Sequence, residues 1–471
     1  MLNLQKHLKK LFLVCTLILV FTSCGTIKPS RPQANLPLDK NEFEIVTNQV
    51  VVPIEIDLTN YLKQANSKVP KLTKGSANPC EGIRYTYEFT KDSFLLSTKN
   101  NELNSELYGS YWIKMEYCAQ CTGLFTEKPI CVIPTVPFSC GINEQKPALK
   151  IQLATKLDIS PEYQITSNTR LEDLKSIHPC EVTIFKFDAT SEVLKEVKKT
   201  IDKQTIALDK ELENIKFKSE AASLWKELYQ VIHVPQFGYL HIQPHKLSLS
   251  KLNFDKNKLK TTMVLDCNTF LNQDSIGQKA KPLPALTRIN KIPNDTFEVV
   301  TNIELHYDSL SKMLTEQLRK KELTIQGKQF VFDSVSFNGL NSNQVLLGIQ
   351  FSGSKKGILY LLGTPHFNND TKVFSLENIS YDLETSSLLL KTAKWLFSNR
   401  IYEELRKACR VDLTNECTLL RKEIEKSLSQ KHGDVHIKSK VHQLSVSKIQ
   451  VTPEKLNLKA GIQAQMKITN Y

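Results

Sequence analysis

"LSLSKLNFDKNKL" runs from Leu247 to Leu259, and "LSVSKIQVTPEKL" runs from Leu444 to Leu456. The two phrases lie 197 residues apart, agree at six of thirteen positions and exchange one apolar residue for another at three more. A repeat of domain size decides an architecture before any local reading does. The flanks repeat as well. After the second phrase Leu456, Leu458, Ala460, Ile462, Ala464, Met466 and Ile468 fall on alternate positions, the pattern of a strand with one apolar face. The first phrase continues through Leu259, Thr261, Met263, Leu265 and Cys267 with the same period.

Upstream, "LWKELYQVI" (Leu224–Ile232) aligns with "LRKEIEKSL" (Leu420–Leu428) after a one-residue gap, and both read as helix ends. Leu413, Cys417, Leu420, Ile424 and Leu428 trace the second helix. Val193, Val197, Ile201, Leu208, Leu212 and Ile215 carry the first over ~40 residues, about 60 Å. At the front, "VPIEIDLTNYL" (Val52–Leu62) matches "VTNIELHYDSL" (Val300–Leu310), a short strand capped into a helix. Val345, Leu347, Ile349 and Phe351 alternate between these ends, "GILYLLGTPHF" follows, and "KVFSLENISYDLETSSLLLKTAKWLF" turns from strand to helix near Glu384. The expected layout is a first domain over residues 49–271, a linker over 272–296 containing "KPLPALTRINKIPND", and a second domain over 297–471. The cysteine-rich stretch 80–140 has no counterpart in the second copy and reads as an insert.

The 471 residues are 41% hydrophobic and 24% charged, a folded composition long enough for two or three domains. Lys and Arg number 62 against 49 Asp and Glu, a formal net charge of +13. That excess favours anionic partners, with solvated surface lysines as the simple alternative.

The chain opens "MLNLQKHLKKLFLVCTLILVFTSCGT", with Lys6, Lys9 and Lys10 ahead of the apolar run Leu11–Phe21. The run is too short for a mature membrane helix and has the shape of a secretory signal over residues 1–23. "FTSC" resembles the lipobox of bacterial lipoproteins, although Phe21 stands where Leu is usual, and the resemblance makes Cys24 the lipidation site. Ordinary signal cleavage is the alternative. Gly25 rather than Asp follows, and "GTIKPSRPQANLP" lacks an acidic cluster. By likeness to Gram-negative lipoproteins this implies the cell envelope, at the periplasmic face of the outer membrane. Residues 24–48 read as a flexible tether.

The "GILYLLGTP" run, the "ISYDLET…AKWLF" passage and the closing "LSVSKIQVTPEKLNLKAGIQAQMKI" resemble an uncharacterised family of bacterial lipoproteins, domain of unknown function 4403. That family is similar to the tubular lipid-binding (TULIP) superfamily, which includes the bactericidal/permeability-increasing and lipopolysaccharide-binding proteins. The resemblance spans roughly residues 49–471 and implies an α+β fold of two tandem units, each a long curved antiparallel sheet wrapped around a long helix. It also implies an apolar tunnel for an acyl chain. With no short ligand motif to transfer, candidate tunnel residues are face assignments only: Leu265, Leu456, Leu458, Ile462, Met466 and Ile468. Their neighbours Asn457, Lys459, Gln463, Gln465 and Lys467 are expected to face water.

"CAQC" (Cys118–Cys121), with Cys131 and Cys140 following, admits structural disulfides, a zinc site or a redox pair. A strand-and-turn context favours disulfides, because the redox pair belongs at a helix start. Cys409 and Cys417 flank "RVDLTNE", read as a helix–loop–helix corner where a bridge fits if the Cα atoms come within ~7 Å. Nine cysteines outlast the signal and the lipid, so at least one thiol is left over. His241/His245 and His432/His436 are spaced i, i+4 but fall on turns and strands, where that spacing does not make a zinc site; they read as surface residues.

No GxSxG, HExxH, Walker A or GxGxxG occurs. The expectation is therefore a binding protein, not an enzyme, without metal or cofactor. Basic stretches such as "LKEVKKTIDKQ" carry interspersed acids and suit lipid headgroups better than nucleic acid. The leading function is a membrane-anchored lipoprotein that binds or shuttles a lipid or other amphipathic ligand. The rival is a structural or adaptor lipoprotein making protein contacts through its sheet edges and cysteine-rich segment.

Overall fold

The computed structural model of the chain describes residues 26–34 and 45–470, except 123–129, 134–135, 183–186, 235–237, 320–321, 326–327, 342, 383–384, 386–402, 404–405 and 408. The expected signal, residues 1–23, and Cys24 lie outside the described residues.

β1 (Asn48–Asp57) leads into α1 (Thr59–Lys68) and then a meander. Its strands are β2 (Leu72–Ala77), β3 (Gly82–Lys99), β4 (Glu102–Cys118), β5 (Cys121–Thr122), β6 (Ile130–Cys131), β7 (Pro137–Cys140), β8 (Ala148–Ile159) and β9 (Ile165–Ser176). There follow α2 (Thr190–Glu213), α3 (Lys218–Glu227), β10 (Ile232–Val234), β11 (Gly238–Leu249), β12 (Asn253–Asp255) and β13 (Lys258–Asn272). After β14 (Thr287–Arg288) the order recurs with β15 (Thr296–His306) and α4 (Tyr307–Leu318). A second meander comprises β16 (Glu322–Ile325), β17 (Lys328–Gly339), β18 (Val345–Gly353), β19 (Gly357–Asn368), β20 (Val373–Tyr381) and β21 (Arg410–Asp412). The chain closes with α5 (Thr414–Leu428), β22 (Lys431–His432), β23 (Val435–Val451) and β24 (Lys455–Thr469).

The repeated phrases form the β11–β13 and β23–β24 ladders, and the two registers coincide. Leu247 faces Leu265 as Leu444 faces Ile462, and Tyr239 faces Asn272 as His436 faces Thr469. Each ladder skips one residue at the same place, between Pro244 and Lys246 and between Val441 and Gln443. The bulged residues are His245 and His442. The front strands repeat too: Val50 faces Leu265 as Val299 faces Ile462. Glu55 meets Lys258 at 2.7 Å as Glu304 meets Lys455 at 2.7 Å. By this register Val52 is equivalent to Thr301, one residue from the Val300 that the sequence alignment chose. Leu58 sits between β1 and α1, whereas α4 follows β15 directly, so the alignment holds for the helices and slips for the strands.

Outside their meanders the two halves do not form separate sheets. Their first and last strands merge into one ten-stranded sheet, ordered β10-β11-β13-β1-β24-β23-β22 with β12, β14 and β15 alongside. The junction is reciprocal: Ile54 pairs in parallel with Ile468, and Leu271 with Ile303.

Each meander makes a separate antiparallel sheet. Residues 80–140, expected as an insert, instead supply the centre of the first: β3 and β4 pair from Gly82–Cys118 to Lys99–Glu102. The expected ~40-residue helix is two helices, α2 and α3. They part because residues 215–217 run alongside β9 instead: Ile165 N donates to Ile215 O at 3.2 Å and Phe217 N to Tyr163 O at 3.1 Å. Ile215, one of the periodic residues, is accordingly exposed, and Leu208 within α2 is exposed as well.

The linker 272–296 is docked, not loose. Leu286 is buried, the Trp225 indole donates to Lys281 O at 3.1 Å, and the Tyr163 hydroxyl donates to Pro284 O at 2.9 Å. The tether is held as well. Ile27 is 2% exposed within the core of the second meander, and its backbone pairs with the start of β19, Ile27 N to Lys356 O at 3.1 Å and Ile358 N to Ile27 O at 2.9 Å. Gly357 permits this approach, since a Cβ there would collide with the Ile27 backbone.

Candidate ligand-binding cavity

β3 has 18 residues and β4 has 17, roughly 60 Å of strand. The 24-residue α2 laid over that sheet is only about 36 Å long. One helix cannot fill the space over so long a sheet. A cavity of about 1010 Å³ lies between α2 and the inner face of β2, β3, β4 and β8. Its volume is at the top of the ~300–1,000 Å³ range of ligand pockets.

The inner face follows from strand periodicity. Tyr85, Tyr87 and Phe89 alternate along β3 and sit opposite Met115, Ile113 and Tyr111 of β4. Leu149 and Ile151 extend the wall into β8, and Val193, Val197 and Ile201, four apart, close it from α2. Two glycines keep the space open. A Cβ at Gly109 would strike the Phe89 ring and one at Gly75 the Tyr87 ring. Both rings therefore lie down over neighbouring strands instead of standing into the cavity.

Polar groups gather at the margins. Glu192, Lys195, Thr200 and Gln204 of α2 line the same space and are exposed, so the cavity opens along that helix. Lys91, at one end, is occupied by the chain itself: its ammonium donates to Val69 O at 2.5 Å, just beyond the end of α1. Tyr111 is buried, its hydroxyl has no partner among the described residues, and burial pushes its phenol pKa well up. The helix end nearest Tyr111 is fixed by Asp188, whose carboxylate accepts from Thr190 N at 2.9 Å.

Among the described residues the core of the second meander is closely packed. Phe332, Phe337, Leu347, Ile349 and Leu361 are buried with Leu314 and Leu318 of α4, leaving a void of about 20 Å³ that holds at most one water. None of the six residues assigned to a tunnel lines the large cavity. All six lie in the ten-stranded sheet: Leu456 is fully buried in the second core, Ile462 and Met466 pack with Val441, Phe297 and Ile424, and Ile468 sits at the junction beside Ile54. Leu458 and Leu265 occupy the β23–β24 and β11–β13 ladders. Alternating apolar residues mark a buried face without saying what covers it. The water-facing assignment holds fully for Gln463 and Lys467, which are exposed.

The cysteines resolve into three disulfides, Cys80–Cys121, Cys118–Cys131 and Cys140–Cys180, with Cα separations of 5.6, 5.7 and 5.5 Å. The CxxC is therefore neither a zinc site nor a redox pair, since its two cysteines are committed to different partners. Cys180 was not visible as a partner in the sequence, 40 residues from Cys140. Cys409 and Cys417 are free thiols, correcting the expected bridge. The segment between them is β21, not a helix corner, so Cys409 enters the second core while Cys417 rides on α5. His241 is buried, not at the surface. It stacks on Phe270 with centroids 4.7 Å apart, and its Nε2 lies 2.9 Å from Asp274 O. Among the described residues no group of three or more His, Cys, Asp or Glu is placed to hold a metal.

Among solved structures the chain is similar to a crystal structure of lipopolysaccharide binding protein, at 12% identity and a TM-score of 0.21, over 90% of this chain and 99% of that one. It is also similar to P47 from Clostridium botulinum A2, at 10% identity and a TM-score of 0.23, over 88% and 97%. TM-scores this low carry no inference about ligand or site. No curated protein matches the chain. Residues 48–469, nearly the whole described chain, match the model of the domain of unknown function family DUF4403, and the chain belongs to that family.

Proposed function

We propose that the protein is a lipid-anchored envelope protein that holds a lipid or another amphipathic molecule in the first-half cavity, as a carrier and not a catalyst. The observation that carries this reading is the cavity of about 1010 Å³ with its aliphatic and aromatic wall. From Ile83 to Lys91 the wall follows β3 for about 27 Å at ~3.4 Å per residue. One leaflet of a bilayer is about half of a ~30 Å hydrocarbon core, so the space is long enough for an extended acyl chain. The exposed polar margin on α2 is where a headgroup would stay in water.

Export through residues 1–23 and acylation of Cys24 agree with three disulfides, which persist in oxidising compartments. Placement at the periplasmic face of the outer membrane rests on the residues after Cys24. The repeated register supports reading the chain as two copies of one tubular unit fused through a common sheet, the first of which holds the cavity. The excess of Lys and Arg serves attraction to anionic lipid, not to nucleic acid.

The test is mass spectrometry of the gently purified full chain, alongside Val197→Trp and Ile201→Trp variants that fill the cavity. Co-purifying amphipath should be present in the parent and reduced at least tenfold in both variants. A parent that neither carries nor takes up any amphipath would overturn the reading.

A further inference from the structure

The cysteine-rich end of the first meander exposes apolar side chains that a folded protein normally covers. Ile83, at the start of β3, and Tyr117, at the end of β4, are cross-strand partners, and both are exposed. Ile130 (70% exposed) and Val132 flank Cys131 on the β5–β6 hairpin, and Ile133 and Val136 (65% exposed) follow ahead of β7. These segments converge on the end of β4. Cys118 is bonded to Cys131, Val132 N donates to Gln120 O at 3.0 Å, and Pro137 pairs with Glu116. Cys121 is bonded in turn to Cys80, so two disulfides brace these segments.

The patch is continuous with the cavity. Ile83 is 41% exposed at the tip and also lines the cavity, together with Asn78 and Pro79 beside Cys80. Its chemistry is aliphatic with one tyrosine at the edge. Protein interfaces favour Trp, Tyr and Arg anchors fitted into pockets. Aliphatic side chains with a bordering tyrosine suit the boundary between headgroups and acyl chains.

We propose that this disulfide-braced tip docks on a lipid bilayer, with Ile130, Val132, Ile133 and Val136 entering the interface and Ile83 marking the passage to the cavity. The passage rests on the ligand-binding reading above, whereas docking stands on the patch alone.

The test places tryptophan in the full chain at Val132→Trp and Val136→Trp, with Ile276→Trp, in the exposed segment after β13, as the reference. Vesicles of phosphatidylethanolamine and phosphatidylglycerol with brominated acyl chains are added, and quenching is measured against the unsubstituted chain. The expected result is at least twofold quenching at 132 and 136 and none at 276. Equal quenching at all three positions, or none at any, overturns docking. Ile130→Asp combined with Val132→Asp should slow ligand uptake from vesicles at least tenfold while retention of ligand already loaded is unchanged. Peptide mapping without reductant confirms the three disulfides in each variant. Unchanged uptake overturns the passage at Ile83, and capture of a stoichiometric protein at the tip in place of quenching overturns docking. A chain that carries no ligand but still shows tip quenching refutes the cavity reading and leaves docking intact.

Discussion

Asn48 clasps the backbone of Val300 with both ends of its side-chain amide. Its Nδ2 donates to Val300 O at 3.0 Å, and Val300 N donates to its Oδ1 at 2.7 Å, as a neighbouring strand would. The same Nδ2 reaches Thr269 Oγ1 at 3.2 Å, so one buried side chain joins β1, β13 and β15.

Asn48→Ala should therefore destabilise the whole chain, by about 1–3 kcal/mol for each buried group left unpaired. Asn48→Asp should be at least as damaging, because a carboxylate cannot donate to Val300 O. Denaturant midpoints of the three chains check this; an Asp variant as stable as the parent would show that the donated bond contributes nothing.

Glu55 ties the same junction electrostatically, with Lys258 at 2.7 Å and Lys467 at 2.8 Å. Their hydrogen bonds hold its carboxyl at about 2, down from an ordinary 4.5. A carboxyl with a depressed folded pKa stabilises above its unfolded value and loses that contribution as pH falls through the folded one. Glu55→Gln should thus melt below the parent at pH 7, and the gap should close between pH 4.5 and about 2. Melting temperatures against pH measure it, and a gap constant with pH would remove the ion pairs from the account.

Gly109 should be intolerant of a side chain for a reason of volume and not of backbone strain. Gly109→Ala lifts the Phe89 ring into the cavity, costing about 1–3 kcal/mol of overpacking and reducing bound amphipath severalfold. Adding Phe89→Ala should restore capacity. Lipid-to-protein ratios for parent, single and double variants report on this directly.

Ile462 and Gln463 are adjacent on β24 and face opposite ways. Ile462 packs with Val441 and Phe297, while Gln463 is exposed. Ile462→Asp should cost about 1–3 kcal/mol through a charge set against the partly buried apolar cluster, and Gln463→Asp should stay within about 0.5 kcal/mol. Chemical denaturation distinguishes them, and similar losses at both would contradict the register.

The register was legible in the sequence because strand pairing writes itself twice: apolar alternation fixes a face, and the shared spacing of 197 carried even the bulged His245 and His442. The merged sheet was not legible, since nothing local in Ile54 or Leu271 names Ile468 or Ile303 as a partner. Much of the cavity wall was written openly in Tyr85, Tyr87 and Phe89 opposite Tyr111, Ile113 and Met115. What hid it was the opposite kind of signal, missing side chains at Gly75 and Gly109, whose effect depends on rings on neighbouring strands. Disulfide pairing was hidden likewise, because six cysteines allow fifteen connectivities and only the meander brings Cys140 to Cys180.

The seating of Ile27 bears on any acyl chains at Cys24. The two positions are three steps apart along the chain, and a fully extended chain covers at most about 11 Å over that stretch. A membrane attachment at Cys24 would thus be a leash far shorter than the molecule, keeping the start of β19 against the bilayer. The protein could pivot on such a leash but not roam from it.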